Sequence, residues 1–381
     1  MSAAARVLHV IARLNVGGPA TQVLALADGL DASRFAVTIA SGSAGPGEGE
    51  FVDLRAPTAE VETLTSLGPE LRPLADARAL AELDRLVRRL GPDLVHTHTA
   101  KAGLLGRLVA ARHGLPTVHT FHGHLLEGYF GPRITRAVVA VERRLAASTA
   151  RLCTVGQRVR DDLLAAGVGT PGQYVALRPG VVAPASVDRR EARQRLGLDD
   201  DAAVVAAVGR LTAIKRPDRL LDAAVRLATQ GRRVTVLLAG DGELRGPLEA
   251  RAARQRLDVR FLGWRSDVGT VYRAADVVAL TSDNEGMPVA LIEAAMCGCP
   301  AVATNVGSVA EVVEHGQGGL VVDADAVGVA RGIAALLDDP ARRQAMGQAA
   351  AECAGRRFSV EALVRETAAL YDAVLAEHAR A

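Results

Sequence analysis

Short apolar segments alternate with longer helical segments along this chain, and the alternation runs twice. The first series holds "RVLHVIA", "FAVTIAS", "DLVHTHT", "PTVHTFHG" and "RLCTVG". Several are followed by a helical stretch: "LADARALAELDRLVRRL", "KAGLLGRLVAARHG" or "RITRAVVAVERRLAAS". In the last of these, Ile134, Val138, Val141 and Leu145 repeat at i, i+4, i+7 and i+11, which predicts a buried stripe. Strands apolar along their length, separated by helices, describe a parallel sheet covered on both faces.

The rhythm pauses at residues 177–197, "LRPGVVAPASVDRREARQRLG", where small residues and two prolines mark a linker. It then restarts with "AAVVAAVGRL", "RVTVLLAG", "VRFLGW", "DVVALTS", "PAVATN" and "GGLVVD", again with helices between. The expected organisation is two doubly wound α/β domains, residues 1–182 and 190–358. The amphipathic helix of 359–381 then packs back on the first domain. In open α/β sheets ligands bind at the carboxyl ends of strands, so tandem sheets predict a cleft between them.

Composition narrows the class. With 381 residues, 49% hydrophobic, the chain is long enough for two cores. Charges break every apolar run before bilayer length. The start, "MSAAARVLHVIARL", lacks a signal-peptide apolar region with a cleavage site and reads as a first strand. Four scattered cysteines without a CxxC motif suggest free thiols in a reducing cytoplasm. Of 45 basic residues only Lys101 and Lys215 are lysine. A lysine that persists amid arginine suggests a need for a compact ammonium on a flexible stem.

The stretch "SDNEGMPVALIEAAMCG", Ser282 to Gly298, carries Glu285 and Glu293 on either side of a helix start. Pro288 suits the first helical position and Gly298 the stop. Gly286 lets the backbone approach a ligand. At about 1.5 Å rise per residue the carboxylates stand on the order of 10 Å apart. That is too far for the paired carboxylates of a retaining glycosidase, about 5–5.5 Å. Two ends of one elongated ligand fit better. A sugar hydroxyl would meet Glu285, a diphosphate the helix start, and a ribose diol Glu293. From this stretch alone the alternative stands equally: Glu293 on a solvated helix face and Glu285 in a turn. "VGRLTAIKRPD" places Arg210 and Lys215 just past a strand end, where two cations can hold a pyrophosphate and stabilise its charge on leaving. "NVGGPA" places Gly17 and Gly18 after the first strand, where bare amides can face a ligand.

"EGMPVALIEAAMCGCPAVATNVGSVAEVV", with "VGRLTAIKRPDRLLDA" and "AGDGELR", closely resembles the family-4 retaining glycosyltransferases of GT-B fold. "HTHTAKAGLLGRLVAARHGLPTVHTFHGH" resembles their bacterial surface-polysaccharide branch, and the likeness covers nearly the whole chain. The resemblance implies transfer of a hexose-type sugar from a nucleoside diphosphate donor, with uridine the commoner base, to an acceptor hydroxyl with retention. It implies Glu293 on the ribose, Glu285 near donor hexose hydroxyls, and Arg210 and Lys215 on the diphosphate, helped by the amides of Gly286 and Met287 beside Pro288. His122 in "TFHG" matches the family's histidine near the donor sugar, and the backbone around Trp264 its base-binding strand end. The chain departs from the pattern at Ser308, where a second glycine is common. No side chain stands out as a nucleophile. An oxocarbenium-like course is then expected, supported by orientation and charge, with no metal and no other cofactor.

Rival readings follow from other features. His96 and His98 share one strand face as zinc ligands do, but no cysteine or paired carboxylate in the sequence completes a site. "DAD" at Asp323–Asp325 is too common a triplet to count. No G-x-G-x-x-G follows a strand with an acid about 20 residues on, which argues against a dehydrogenase. A sugar-nucleotide 2-epimerase of the same architecture is the enzymatic alternative, and a non-catalytic sugar-binding protein the other. Nothing points to nucleic acid.

For the acceptor, residues 101–160 hold ten basic residues against Glu127 and Glu142. "HGHLLEGYFGPRITR" sets Leu125, Leu126, Tyr129 and Phe130 beside arginines. Such a face suits peripheral binding to the inner, anionic side of a membrane and a lipid-linked acceptor. Lys101, His124 and Tyr129 are the expected acceptor-side residues. A solvated basic face with a soluble acceptor is the alternative.

Overall fold

A computed structural model describes residues 3–14, 18–43, 58–68, 70, 72–123, 131–185 and 187–380. Gly17, His124, Glu127, Tyr129 and the apolar Leu125, Leu126 and Phe130 lie outside the described residues. The chain forms two compact units, residues 1–181 with 359–381, and residues 182–358.

In the first unit the strands are β1 (Ala5–Ile11), β2 (Phe35–Ser41), β3 (Glu60–Thr63), β4 (Leu94–His98), β5 (Thr117–Phe121), β6 (Arg151–Thr154) and β7 (Tyr174–Ala176). They pair in parallel in the order β3-β2-β1-β4-β5-β6-β7. The order reverses between β1 and β4. Helices α1 (Gly18–Gly29), α2 (Pro73–Leu90), α3 (Ala100–Arg112), α4 (Pro132–Ala146) and α5 (Gln157–Ala165) cover the faces. One face packs Leu8, Val10 and Val95 against Leu83, Leu86 and Leu105 of α2 and α3.

In the second unit α6 (Arg189–Arg195) leads into β8 (Val204–Val208), α7 (Pro217–Thr229), β9 (Thr235–Ala239), α8 (Arg245–Gln255) and β10 (Val259–Gly263). Then come α9 (Val268–Ala274), β11 (Val277–Leu280), α10 (Val289–Met296), β12 (Ala301–Thr304), α11 (Val309–Val312), β13 (Gly319–Val322), α12 (Ala326–Leu337) and α13 (Pro340–Arg357). The sheet order is β10-β9-β8-β11-β12-β13, all parallel, reversing between β8 and β11. The closing helix α14 (Val360–His378) belongs to the first unit, where Leu363, Leu370, Tyr371 and Val374 pack with Val7, Leu26, Leu94 and Val118.

Two local findings correct the sequence reading. The stripe on α4 is not buried: Ile134 is 53% and Val141 43% exposed, and Leu145 alone of the four is fully enclosed. The cause is an ion pair. Arg107 on α3 binds both oxygens of Glu142, at 2.9 and 2.7 Å, and both side chains are buried. At about 100° per residue, drawing Glu142 inward turns Ile134 and Val141 to the side. Pro288 is the N-cap of α10 rather than its first helical residue, while Gly298 follows the C-cap with φ 71°. Asp325 of the "DAD" triplet caps α12, accepting the amide of Gly328 at 2.7 Å.

A buried carboxylate organises the second unit. Asp276, just before β11, accepts the Val204 amide at 2.8 Å and contacts Arg189, Arg193 and Arg343 at 2.7, 3.1 and 3.2 Å. Arg193 is itself 2% exposed and also donates to the carbonyls of Asp199, Asp200 and Ala274. Removing Asp276 strands that cation. Asp276→Ala should destabilise the second unit by about 3 kcal/mol or more, read as a lowered urea midpoint at unchanged slope. A variant that melts with the wild type refutes this account.

Candidate functional site

In the second unit the loops after β8 and β11 leave neighbouring strand ends on the two sides of the sheet reversal. This is where an open α/β sheet opens a crevice. They are stitched by backbone and side-chain bonds. Asp283 N–H donates to Ile214 at 2.9 Å, and Thr281 Oγ1 to the Arg216 carbonyl at 2.9 Å. Arg219, 6% exposed, donates to the Thr281 carbonyl at 2.6 Å and to Asp283 at 2.6 Å.

Lys215 and Glu285 meet across this junction. Lys215 lies in the short 3-10 turn Ala213–Lys215, and its ammonium donates to both Glu285 oxygens at 2.6 and 2.8 Å. Glu285 is buried and also accepts Ser282 Oγ at 2.6 Å. The sequence assigned Glu285 to a sugar hydroxyl and Lys215 to a diphosphate, with no contact between the two expected. The fold makes them one ion pair, with the lysine half-buried on its outer side.

Gly307 holds this arrangement from behind. Its φ is 49°, and a Cβ there would stand 1.7 Å from the Glu285 carbonyl oxygen. The next amide, Ser308 N–H, donates to the Gly286 carbonyl at 3.2 Å. Sequence reasoning passed over Gly307. Only its place in "NVGS" beside the departure at Ser308 pointed there. The Ser308 hydroxyl is buried with no partner among the described residues.

Beyond the pair, Gly286, Met287 and Val289 present amides that donate to no acceptor among the described residues. They stand at the N-terminus of α10, where the helix dipole favours an anion. Arg210, past the end of β8, is exposed, and its guanidinium has no partner among the described residues. Pro288 caps the helix and is buried. The "AGDG" loop docks on this region. A Cβ at Gly240 would stand 2.0 Å from the Gly209 carbonyl, and Leu211 N–H donates to the Asp241 carbonyl at 2.9 Å.

Glu293, on α10, is no solvated-face residue. Tyr272 of α9, fully buried, donates its hydroxyl to one Glu293 oxygen at 2.9 Å. Burial pushes the Glu293 carboxyl up to about 7, and the tyrosine bond only partly offsets this. Tyr272 was missed, because nothing in "TVYRAAD" marks it beyond an aromatic on a helix. Trp264 follows β10 and is 49% exposed. The Gly240 amide donates to the Gly263 carbonyl beside it at 2.8 Å.

The first unit holds the other candidates. Gly18 opens α1. His122, just past β5, is half-buried, with its Nε2 3.0 Å from His98 Nδ1. Burial lowers it to about 3, so the ring is neutral. The sequence found no third partner for His96 and His98, but the fold supplies one. His9 on β1 is in register with His96, and the three rings offer nitrogens within 4.8 Å of one another. Lys101 does not offer a free charge to an acceptor phosphate. It is buried, ion-paired with Asp76, and donates to the Glu70 carbonyl at 2.6 Å.

Residues 188–352 match the family model described as glycosyl transferases group 1, and residues 17–180 that of a glycosyl transferase 4-like domain. D-inositol 3-phosphate glycosyltransferase 2 of Catenulispora acidiphila is 32% identical over 303 residues, covering 73% of this chain and 70% of that protein. D-inositol 3-phosphate glycosyltransferase of Salinispora tropica is 34% identical over 315 residues, 75% of this chain and 65% of that protein. UDP-Gal:alpha-D-GlcNAc-diphosphoundecaprenol alpha-1,3-galactosyltransferase of Escherichia coli is 28% identical over 261 residues, 66% of this chain and 67% of that protein. The matched part thus spans about two thirds of these relatives. Among solved structures, Anabaena HepE in complex with UDP and glucose aligns with a TM-score of 0.81 at 23% identity, over 96% of this chain and 99% of that one. The two parallel-sheet units thus match structures of GT-B fold, and the chain belongs to the group 1 glycosyl transferases.

The raised Glu293 carboxyl has a signed consequence. Between the ordinary 4.5 and about 7 the unfolded chain ionises this group while the folded one keeps it protonated. Stability from this group is therefore full below about 4.5 and lost as pH rises through about 7. Glu293→Gln mimics the protonated acid. Its stability relative to wild type should climb over that interval in ligand-free protein, followed by urea unfolding at stepped pH. A pH-independent difference contradicts the assignment.

Proposed function

We propose that the protein transfers a hexose-type sugar from a uridine diphosphate donor to an acceptor hydroxyl, with retention at the anomeric carbon. The observation that carries this reading is the Lys215–Glu285 pair, beside Arg210 and the amides of Gly286, Met287 and Val289. A diphosphate is the ligand whose charge this group of donors suits. Arg210, Lys215 and the α10 amides would hold it and stabilise it as it leaves, in place of a metal ion. Glu285, fixed by Ser282 and Lys215, would accept hydroxyls of the donor hexose. The Glu293 oxygen not taken by Tyr272 would accept a ribose hydroxyl. His122 would accept from the sugar, and the backbone at Trp264 would meet the base.

For the acceptor, the relatives' names point to two phosphate-bearing molecules: inositol 3-phosphate and a lipid diphosphate. The exposed face of α4 favours the lipid, in glycolipid or polysaccharide assembly. Ile134 and Val141 lie beside exposed Arg133 and Arg144, while exposed Arg136 and Arg143 stand on the opposite flank of the helix. Apolar side chains flanked by cations suit an anionic bilayer surface. No helix among the described residues is long and apolar enough to cross a membrane.

Arg210→Ala and Lys215→Ala should each lower turnover with UDP-sugar on the order of 10²-fold. The lysine variant should also free Glu285 from its partner. Wild-type turnover in either refutes the diphosphate site. Isomerised donor in place of transferred or slowly hydrolysed sugar would favour a 2-epimerase.

The membrane reading has its own test. The protein should sediment with anionic vesicles at low salt and be released by added salt. A variant lacking Arg133, Arg136, Arg143 and Arg144 should stay in the supernatant. If neither protein sediments, a soluble acceptor such as an inositol phosphate becomes the reading.

A further inference from the structure

Parallel strands buried on both faces normally carry continuous apolar side chains. The first unit breaks this at its centre. His9 on β1, His96 and His98 on β4 and Thr120 on β5 lie together, each wholly buried. Tyr371 of α14, also wholly buried, closes over them. Their polar atoms form one line of contacts. Thr120 Oγ1 is 2.7 Å from His96 Nε2, and His96 Nδ1 is 2.6 Å from the Tyr371 hydroxyl. That hydroxyl is 3.1 Å from His9 Nε2. His9 Nδ1 is 3.0 Å from His98 Nε2, and His98 Nδ1 is 3.0 Å from His122 Nε2.

Each link needs one proton, and each neutral imidazole carries one. The line can therefore be ordered in only two directions, unless the tyrosine accepts from both sides. The distances at Tyr371 choose between them. A phenol donating to nitrogen makes a short contact, whereas an imidazole N–H donating to oxygen is ordinarily near 2.9–3.0 Å. The 3.1 Å link is too long for an O–H donor and is then His9 Nε2–H to the tyrosine oxygen. The remaining protons follow. His98 Nε2–H donates to His9 and His122 Nε2–H to His98.

We propose that Thr120, His96, Tyr371, His9 and His98 are positioning residues. They hold His122 as its neutral Nε2–H tautomer, so that its Nδ1 lone pair, without a partner among the described residues, faces outward as an acceptor. Burial keeps these rings neutral, with His9 and His122 lowered to about 3 and His96 and His98 well below the usual range. A metal at His9, His96 and His98 would need nitrogens the line already uses, since all six carry a protein contact. What the acceptor nitrogen is for rests on the proposed sugar transfer; the proton order does not. Tyr371, distant in sequence, gives α14 a part in the site.

The test is ¹⁵N NMR of the histidine-labelled full-length chain near neutral pH. His122 should show a protonated Nε2 and a lone-pair Nδ1. Tyr371→Phe keeps the ring but removes the acceptor of His9 Nε2–H, and should leave His122 a mixture of tautomers. The donor kcat/KM should fall about 2-fold or more, in step with the lost share of the competent tautomer. Thr120→Val, at the far end, should shift the populations likewise and serves if the tyrosine variant fails to fold. A protonated Nδ1 in wild type overturns the proposal, and so does a His122 signal indifferent to both variants. Stoichiometric zinc in the purified protein, lost in His9→Asn, also overturns it. If the tautomers behave as stated but His122→Ala turns over like wild type, the proton order stands and the role of His122 in transfer falls.

Discussion

The candidate site of the second unit is arranged around one ion pair. Lys215 and Glu285 come from loops on opposite sides of the sheet reversal, and their contact fixes both. A carboxylate as buried as Glu285 is costly without a counter-charge. Its partner must be a single ammonium reaching from a tight turn. Lysine's flexible stem and compact head suit that position, whereas a planar guanidinium would need room for its fork. With Lys215 fixed by Glu285, Arg210 and the amides of Gly286, Met287 and Val289 are left without a partner among the described residues. Gly307 completes the constraint by bringing the next loop against the Glu285 carbonyl, where no side chain fits.

The first unit spends its centre on polar groups instead. Three strands each contribute a histidine or threonine to one buried face, and α14 adds a tyrosine. Every ring nitrogen of His9, His96 and His98 has a protein contact, so the row satisfies its hydrogen bonds within the sheet. His119, on the opposite face of β5, instead meets Thr97 at 2.8 Å. The two faces of one strand thus serve different purposes: one joins the row leading to His122, the other packs against α3.

Much of the fold was legible because parallel strands and their covering helices impose local patterns. The double βα rhythm, the long terminal helix and the Ser282–Gly298 segment could all be read from spacing and turn chemistry. The α4 stripe misled for a physical reason. Periodicity shows which residues share a face, but the inward face was chosen by the Arg107–Glu142 pair, 35 residues apart in sequence. Lys101 and Lys215 looked alike as rare lysines. One became a structural pair with Asp76, the other the pair at the strand-end junction. Nothing local separates them.

The sequence by itself determined the fold class, the order of strands and helices and the residue types at the strand ends, because these depend on neighbours a few positions apart. Tertiary structure alone decided which of those residues meet. It joined Lys215 to Glu285, Tyr272 to Glu293, His9 to His96 and His98, and Tyr371 to the row behind His122. Each of these contacts bridges separate elements. Their partners are selected by sheet order and helix docking, which bring distant residues to hydrogen-bond range and which no short window of sequence contains.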